Sequence, residues 1–461
     1  MNGARAGRHA GTGWGGRGSW AVRACVSVAC AALALLLLPA AQANDPKTAS
    51  LLKDIDPGAE GSEPQDFTVA GNLVFFSTLF PNGFDLWRSD GTAGGTFQVS
   101  PNEAEFHTAV GDTLFFNSLG ELWKSDGSVA GTVLVKDINP TDESFPNSMT
   151  SAGGRLVFSA DDGVAGQELW RSNGTAAGTV LVKDINPGAD GSGPGFLTPV
   201  GATVFFGAND GVSGDELWKS NSTAATTVLV EDINPGPAGS NPVALARVGD
   251  TLYFYADDGV HGFELWKSNG TAAGTTLVED INPGPAGSLA FLDAQVRVGQ
   301  TLYFGANDGT HGVELWKTDG TAVGTALVKD INPGLASGAD VRFGIAFGNK
   351  LLFNADDGVT GSELWKSDGT TAGTVLAADI NPTEGSGPTN FAALGGAVYF
   401  NADDGTHGPE LWRSNGNTTF LVQDIDPGAD GSFPFELTRF KNSIVFSADD
   451  GVVGRELWVV S

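Results

Sequence analysis

Residues 314–321 read Glu-Leu-Trp-Lys-Thr-Asp-Gly-Thr, and the word Glu-Leu-Trp recurs along the chain at a nearly constant interval. Its tryptophans are Trp123, Trp170, Trp218, Trp266, Trp316, Trp365, Trp412 and Trp458, and a ninth copy begins with aspartate and ends at Trp87. Neighbouring tryptophans are 46 to 50 residues apart, except for a step of 36 between Trp87 and Trp123. Such a period indicates a supersecondary unit that stacks on its neighbours to bury its apolar face.

Within one repeat, short apolar runs alternate with strong turn signals. Strands are predicted at residues 276–281, 295–298, 301–304 and 313–317. Asn307-Asp308-Gly309 lies between the last two runs, and Asn-Gly and Asp-Gly turns favour tight hairpins because glycine accepts a positive φ. Runs such as Leu-Tyr-Phe are apolar on both strand faces, as expected for strands covered on both sides. Four such strands per repeat predict the blades of a β-propeller.

The two ends of the chain complement each other. The last repeat stops at Ser461 without the Leu-Val-Lys-Asp-Ile strand that follows the other copies, and residues 51–55, Leu-Leu-Lys-Asp-Ile, supply it. We therefore predict an all-β, closed propeller of about nine four-stranded blades, in which the N-terminal strand joins the last blade and leaves no open edge. The short repeat, residues 97–132, keeps four strand signals and loses only loop residues. Eight blades, with one repeat merged or displaced, is the alternative, because propellers usually have roughly four to eight.

The first 43 residues are typical of a secretory signal peptide. Four arginines precede an apolar run at residues 31–38, and Ala41-Gln42-Ala43 fits a cleavage site. The run is too short to span a bilayer comfortably, and no second candidate follows it. We predict a signal peptide at residues 1–43, a single propeller domain at residues 44–461, and an exported protein that is secreted, periplasmic or at the cell surface.

Composition narrows the range of partners. The chain has 25 Lys and Arg against 54 Asp and Glu, and four of those basic residues and none of the acids lie in residues 1–43. The mature chain therefore has a net charge of −33, which disfavours nucleic acid and anionic membranes and favours cations. Both cysteines, Cys25 and Cys30, lie in the signal peptide, so a disulfide framework and a thiolate metal site are excluded.

The repeated words resemble those of a known family. The consensus Glu-Leu-Trp-Lys-Ser-Asp-Gly-Thr, then Ala-Gly-Thr, then Leu-Val-Lys-Asp-Ile-Asn-Pro-Gly, is similar to the ELWxxDGT-repeat proteins, which are exported bacterial proteins. The resemblance covers essentially the whole mature chain. It implies export and a repeated architecture, and it implies no particular activity and no catalytic residues.

An acidic turn precedes most copies of Glu-Leu-Trp and suggests a cation site. Carboxylates crowded on a tight loop are hard oxygen ligands suited to Ca²⁺. The candidate calcium ligands are Asp161, Asp162, Asp257, Asp258, Asp356, Asp357, Asp403, Asp404, Asp449 and Asp450. The alternative is that these side chains bond nearby backbone N–H groups and simply form the turns. Their spacing matches neither the EF-hand nor the nonapeptide calcium repeat.

Other repeated side chains have structural and functional interpretations. The tryptophans are predicted to pack between blades, or, if exposed, to form a carbohydrate-stacking ring; the neighbouring glutamates are predicted to be hydrogen-bonded. His261, His311 and His407 share one tolerant repeat position, which disfavours catalysis. Three arginines share another position, as a solvated site or one side of a binding surface; they are Arg247, Arg297 and Arg439, where other repeats have Val69, Ala109, Ala152, Pro199, Ala346 and Ala393.

No catalytic motif is recognisable in the mature chain, so no catalytic or cofactor-binding residue is predicted. We interpret the protein as an exported, non-enzymatic binding module that presents loops on a rigid ring, with calcium as a candidate stabilising ion. Extracellular protein or glycan are the candidate partners. Two alternatives stay open: a hydrolase or lyase of extracellular polysaccharide, which a channel lined by non-repeating carboxylates or histidine would favour, and a structural surface or matrix protein.

Overall fold

The computed structural model of the protein describes residues 47–79, 83–288 and 295–461. The predicted signal peptide lies outside the described residues. The described residues form nine four-stranded antiparallel sheets, arranged as the blades of a ring. The predicted nine-bladed propeller is therefore confirmed, and the eight-bladed alternative is wrong.

The blades are numbered along the chain after β1 (Ala49–Lys53), and each runs from an inner to an outer strand. Blade 1 contains β2 (Pro64–Ala70), β3 (Leu73–Thr78), β4 (Asp85–Ser89) and β5 (Phe97–Glu103). Blade 2 contains β6 (Glu105–Val110), β7 (Thr113–Ser118), β8 (Glu121–Ser125) and β9 (Val133–Lys136). Blade 3 contains β10 (Asn147–Ala152), β11 (Arg155–Asp161), β12 (Gln167–Ser172) and β13 (Val180–Lys183). Blade 4 contains β14 (Gly195–Val200), β15 (Thr203–Asn209), β16 (Asp215–Ser220) and β17 (Val228–Glu231).

The remaining blades repeat this arrangement. Blade 5 contains β18 (Val243–Val248), β19 (Thr251–Asp257), β20 (Phe263–Ser268) and β21 (Thr276–Glu279). Blade 6 contains β22 (Gln295–Val298), β23 (Thr301–Asn307), β24 (Val313–Thr318) and β25 (Ala326–Lys329). Blade 7 contains β26 (Ala339–Phe347), β27 (Lys350–Asp356), β28 (Ser362–Ser367) and β29 (Val375–Ala378). Blade 8 contains β30 (Thr389–Leu394), β31 (Ala397–Asp403), β32 (Pro409–Ser414) and β33 (Thr419–Gln423), and blade 9 contains β34 (Phe435–Phe440), β35 (Ser443–Asp449) and β36 (Arg455–Val460). Two short 3₁₀ helices lie at Ala224–Thr226 and Ala272–Gly274.

The N-terminal strand completes blade 9, as predicted. Its strand order is β1-β36-β35-β34, and Ser50 pairs with Val459 in an antiparallel register. Leu52 and Ile55 pack against the core that includes Leu457 of blade 9. Blade and repeat boundaries differ by one strand, because Phe97–Glu103, which the sequence assigned to the short repeat, is the outer strand of blade 1.

The apolar core lies between the blades. Leu169 of blade 3 belongs to one buried cluster with Phe206 and Trp218 of blade 4, while Trp170 packs with Phe115 and the core of blade 2. Leucine and tryptophan of one Glu-Leu-Trp word therefore face opposite neighbours. Four of the nine repeat tryptophans are buried, Trp170 and Trp218 among them at 4% and 6% exposed, and the other five are half-buried. The predicted packing between blades is therefore confirmed, and a ring of exposed sugar-stacking indoles is wrong.

Lysines join successive blades on the face that carries the Asp-Gly-Thr turns. The Lys124 ammonium of blade 2 donates to the Gly174 carbonyl of blade 3 at 2.7 Å, and Lys267 and Lys317 make the same bond to the following blade. In a second set, the Lys183 ammonium of blade 3 donates to the Thr227 carbonyl of blade 4 and lies 5.2 Å from the ring centre of Trp218, also in blade 4. These contacts join the blades on the face that carries the Asp-Gly-Thr turns, which we call the lower face.

The glutamate of Glu-Leu-Trp anchors the loops of the opposite, upper face. We define the upper face by the loops that lead from one blade to the next and by the turns between each blade's second and third strands. Glu216 is fully buried, and its carboxylate accepts bonds from the N–H groups of Ile233 and Asn234 and from both the N–H and the hydroxyl of Ser240. Burial raises the pKa of Glu216, and these bonds act to lower it. The predicted structural role of this glutamate is confirmed.

Blade 6 departs from this arrangement, because Gly338 stands where the loops of the other seven Glu-Leu-Trp repeats carry the serine that bonds the glutamate. Burial raises the pKa of Glu314 to about 7, against 4.5 in an unfolded chain. The folded state then binds an extra proton at Glu314 between these values, so the contribution of this group to stability is fully present below pH 4.5 and is lost as the pH rises through 7. We expect the free energy of unfolding of E314Q to increase relative to that of wild type, by on the order of 1–2 kcal/mol, as the pH rises from 5 to 8.

The measurement is urea unfolding of both proteins across this pH range. E363Q is the matched control, because Glu363 keeps its serine bond, from the Ser386 hydroxyl at 2.6 Å, and should show a shallower change. Parallel stability curves for E314Q and wild type would contradict the assignment.

Candidate functional site

The inner strands share an unusual backbone feature. Among the described residues, six of these strands have a non-glycine residue with φ between 49° and 60°, at the point where the pairing register with the second strand slips. These bulge residues are Asp66, Phe106, Ser148, Phe196, Asn390 and Glu436. Left-handed conformations cost L-residues roughly 1–2 kcal/mol each, and retained strain of this kind is concentrated at functional sites. The inner strands therefore carry the first indication of a site.

A pocket of about 530 Å³ lies where four of these strands meet. It is formed by the inner strands of blades 8, 9, 1 and 2, on either side of the point where the ring closes. Its lining residues are Asp66, Phe67, Thr68, Phe106, His107, Asn390, Phe391, Glu436, Leu437 and Thr438. We call it the central pocket. None of these residues was predicted as a site residue.

Hydrogen bonds across the blade joints hold the polar groups of the central pocket. A carboxylate oxygen of Glu436 accepts from the Phe67 N–H at 3.0 Å, and the Asn390 side-chain oxygen accepts from the Glu436 N–H at 3.3 Å. Burial raises the pKa of Glu436, the Phe67 N–H acts to lower it, and the nearby carboxylate of Asp66 raises it further. Glu436 and Asn390 thus fasten blade 9 to its two neighbours.

His107 joins blades 1 and 2 in the same way. Its Nδ1 lies 2.9 Å from the Asp66 carbonyl, which can only accept, so Nδ1 carries the proton. Its Nε2 lies 3.2 Å from the Ser77 hydroxyl, and its ring meets the edge of Phe116. Burial lowers the pKa of His107, and the bond to the Asp66 carbonyl acts to raise it.

The Ser77 and His107 pair has the chemistry of a nucleophile and a base, but not the access. Ser77 is fully buried in β3, and its hydroxyl also lies 2.8 Å from the Ala104 carbonyl. A substrate carbonyl could not reach it in this arrangement. The Asp66 side chain, by contrast, is exposed at the pocket. The central pocket is suited to binding a polar ligand through Asp66 and the exposed ring of Phe106.

Blade 2 has a second opening beside the central pocket, at its shortened upper turn. Leu119 and Gly120, with φ of 52° and 73°, form a two-residue turn between the paired Ser118 and Glu121. Blade 3 has a five-residue turn, 162–166, at the equivalent place. The shorter turn leaves an opening of about 340 Å³ lined by Glu103, Glu105, Asn117, Leu119, Gly120, Glu143 and Phe145, which we call the blade 2 notch.

The notch and the central pocket form one electrostatic region. Burial raises the pKa of Glu105, and the carboxylates of Glu103 and of Asp66, in the central pocket, raise it further. Within the described residues, none of the ion pairs involves Asp66, Glu103, Glu105 or Glu143. This part of the upper face is therefore a concentration of negative charge that no ion pair neutralises.

The structure gives the predicted calcium ligands a role in the turns. A carboxylate oxygen of Asp161 accepts from the Gly163 N–H at 2.7 Å, and one of Asp162 accepts from the N–H groups of Val164 and Ala165. The same bonds recur at Asp257, Asp258, Asp356, Asp357, Asp403, Asp404, Asp449 and Asp450. In the part of the chain that the structure describes, no three His, Cys, Asp or Glu side chains converge as metal ligands. Calcium binding at these turns stays a prediction.

The calcium prediction is tested by melting a protein of residues 44–461 with calcium and with chelator. Binding to the native state would raise the unfolding midpoint. The free energy of unfolding would increase by about 2.7 kcal/mol when calcium is at a hundred times its dissociation constant. An unchanged midpoint would leave these aspartates with turn formation alone.

The three repeated histidines pair with these turns. Nδ1 of His311 lies 2.7 Å from an Asp308 carboxylate oxygen, and His261 and His407 make the same contact. Partial burial acts to raise the pKa of Asp308, but bonds from His311 and Thr310 lower it to about 2. The hydrogen bond to Asp308 raises the pKa of His311. These histidines therefore stabilise exposed turns.

The three repeated arginines lie exposed on inner strands. Arg247 and Arg297 donate to the carbonyls of the turn glycines that follow them, at 2.6 and 2.7 Å. One part of the predicted alignment is wrong: Ser151, not Ala152, is the equivalent of Arg247, because Ser151 pairs with Leu156 as Arg247 pairs with Leu252.

No family model matches the chain, and no curated protein matches it. Among solved structures, it is similar to the computationally designed protein Ika8, at 16% identity over 89% of this chain and 99% of that one, with a TM-score of 0.43. It is similar to a puromycin-hydrolyzing peptidase of Mycobacterium tuberculosis, at 12% identity over 78% of this chain and 60% of the peptidase, with a TM-score of 0.40. It is also similar to PorZ of Porphyromonas gingivalis, a surface component of the type-IX secretion system, at 13% identity over 84% of this chain and 59% of PorZ, with a TM-score of 0.30. The chain thus spans about three fifths of the latter two, and likenesses this remote carry no argument about its activity.

Among the residues that the structure describes, no helix has the length and hydrophobicity that crossing a bilayer requires.

Proposed function

We propose that the protein is an exported, non-enzymatic binding module whose ligand occupies the central pocket and the blade 2 notch. One observation carries the proposal: the inner strands around the pocket keep Asp66, Phe106, Asn390 and Glu436 in left-handed conformations, and two of them, Asp66 and Phe106, expose their side chains to solvent. Phe106 is 53% exposed at a φ of 56°. Exposed apolar groups and backbone strain both cost stability, and a binding surface is a reason for retaining them.

The fold supports this proposal by its rigidity. Leucine and tryptophan pack between the blades, and lysine bonds join successive blades from blade 2 to blade 8. Around the pocket, the bonds of Glu436, Asn390 and His107 join the blades, so the pocket residues are held in fixed positions before a ligand arrives. Preorganisation of this kind reduces the entropic cost of binding. An extracellular protein or glycan is the proposed partner class, and export and membership of the ELWxxDGT-repeat proteins are part of the proposal.

The test is a selection of ligands by the mature protein, residues 44–461, from a displayed random-peptide library and a glycan array. The same selection is made with the variant D66N/F106S, which removes the exposed carboxylate and the exposed ring from the central pocket. We expect ligands that wild type enriches and the variant does not. Equal enrichment by both proteins, or none by either, would contradict the proposal.

A polysaccharide hydrolase is the second candidate, because the pocket brings together Asp66, Glu436, His107 and Asn390, which do not repeat between blades. Glu436 and His107 are engaged in bonds between blades, which leaves Asp66 as the exposed acid. Release of reducing ends from extracellular polysaccharides by wild type, and its loss in D66N, would establish this function instead.

A further inference from the structure

We propose that the partner of this site is a cationic, amphipathic protein segment, in which Lys or Arg side chains alternate with apolar ones, seated in the blade 2 notch. The inference rests on the proposed function and specifies its ligand. It starts from the shortened turn of blade 2, which uncovers a surface that longer turns cover elsewhere. Glu121 beside this turn is half-buried, whereas its counterparts Glu168 and Glu216 are fully buried.

The notch exposes apolar side chains in costly conformations. Leu119 is 59% exposed with a φ of 52°, and Phe145 is 52% exposed with a φ of 46°. Asparagine, aspartate or glycine is the usual choice at the first position of such a turn, so Leu119 is unfavourable there for both conformation and solvation. With Phe106 at the edge of the central pocket, these side chains form an apolar surface that a partner's apolar side chains could cover.

The charges around that surface select the partner's sign. Glu103, Glu105 and Glu143 line the notch, and Asp66 adds a fourth carboxylate from the central pocket. A segment with positive side chains would neutralise these carboxylates. An anionic segment would repel them, and an uncharged apolar segment would remove their water without replacing it. The net charge of −33 on the mature chain would also speed the approach of a cationic partner.

The inference is tested with three labelled peptides and fluorescence anisotropy on the full mature chain. The probe is three copies of Lys-Leu-Lys-Phe; one control peptide has Glu for Lys, and the other has Ser for Leu and Phe. We expect the probe to bind and both controls to bind at least tenfold more weakly, at about 0.15 M salt. Binding of the Ser peptide as tightly as the probe would show charge attraction alone and overturn the inference, as would absence of probe binding.

Matched variants locate the binding. E103Q/E105Q/E143Q should weaken the probe at least tenfold, while D190N/E384Q/D430N, which removes three exposed carboxylates from loops of the same face, should change it less than about threefold. F145S should weaken it similarly, while F433S should not, although Phe433 has the same φ of 46° and is 48% exposed at the equivalent loop position. Equal losses in test and control variants would place binding elsewhere and overturn the inference. All the substituted side chains are exposed except that of Glu105, which is half-buried, and unchanged thermal midpoints confirm that the variants fold.

The two proposals fail separately. If the library and array select a neutral or anionic ligand that depends on the central pocket, the binding function stands and the cationic segment is wrong. If wild type and D66N/F106S select alike and the probe does not bind, both are wrong.

Discussion

A chain that begins at Pro57, and so lacks β1, should lose about 5 kcal/mol or more of its free energy of unfolding. The loss has two sources. Blade 9 loses its outer strand together with the buried contacts of Leu52 and Ile55. The buried carboxylate of Glu456 also loses the N–H groups of Ile55 and Asp56, each 3.0 Å away.

The control is a chain that begins at Ala49, which removes the same terminus but keeps the strand. The shorter chain should also associate or aggregate, because β36 becomes an open sheet edge. A synthetic peptide of residues 44–58 should restore its unfolding midpoint by occupying that edge. Equal stability of the two truncated chains in urea would contradict the role of β1.

Replacing Glu216 with alanine should cost about 3–5 kcal/mol, because four buried donors would lose their acceptor. These donors are the N–H groups of Ile233, Asn234 and Ser240 and the Ser240 hydroxyl. Ser240→Ala removes one of the four bonds and should cost about 1–2 kcal/mol. Urea unfolding measures both changes, and limited proteolysis should cut E216A first within residues 232–241. An E216A protein within about 1 kcal/mol of wild type would show that the loop does not depend on the carboxylate.

The architecture could be predicted from the sequence because the same pattern of strands and turns recurs in every repeat. The interval between tryptophans indicated the blades, and the missing strand after Trp458 together with residues 51–55 indicated the closure. The buried glutamate could be predicted to be bonded, because an unpaired buried carboxylate is costly. Its partners could not, since they lie about 17 to 24 residues further along the chain and are brought back by the fold.

The site could not be predicted from the sequence, for two physical reasons. Asp66 and Glu436 belong to opposite ends of the chain and become neighbours only when the ring closes. The left-handed conformations at Phe106 and Phe196 have no signature, because glycine or asparagine marks such positions and phenylalanine does not. The short step between Trp87 and Trp123 was visible as a deletion, but the notch that it opens depends on Glu143 and Phe145 in the next loop.

The ring closure is tested most directly by a disulfide between its two ends. Residues 44–461 contain no cysteine. Ser50 lies opposite Val459 in the β1–β36 pair, where Cα atoms are about 4.5–5.5 Å apart, within the range that a disulfide spans. Under mild oxidation, S50C/V459C should form an intramolecular bond in nearly every molecule and unfold at a higher temperature. The control S50C/V228C, with its second cysteine on blade 4, should stay reduced. Free thiols in S50C/V459C, or only bonds between molecules, would show that the ends are apart and that the ring is open.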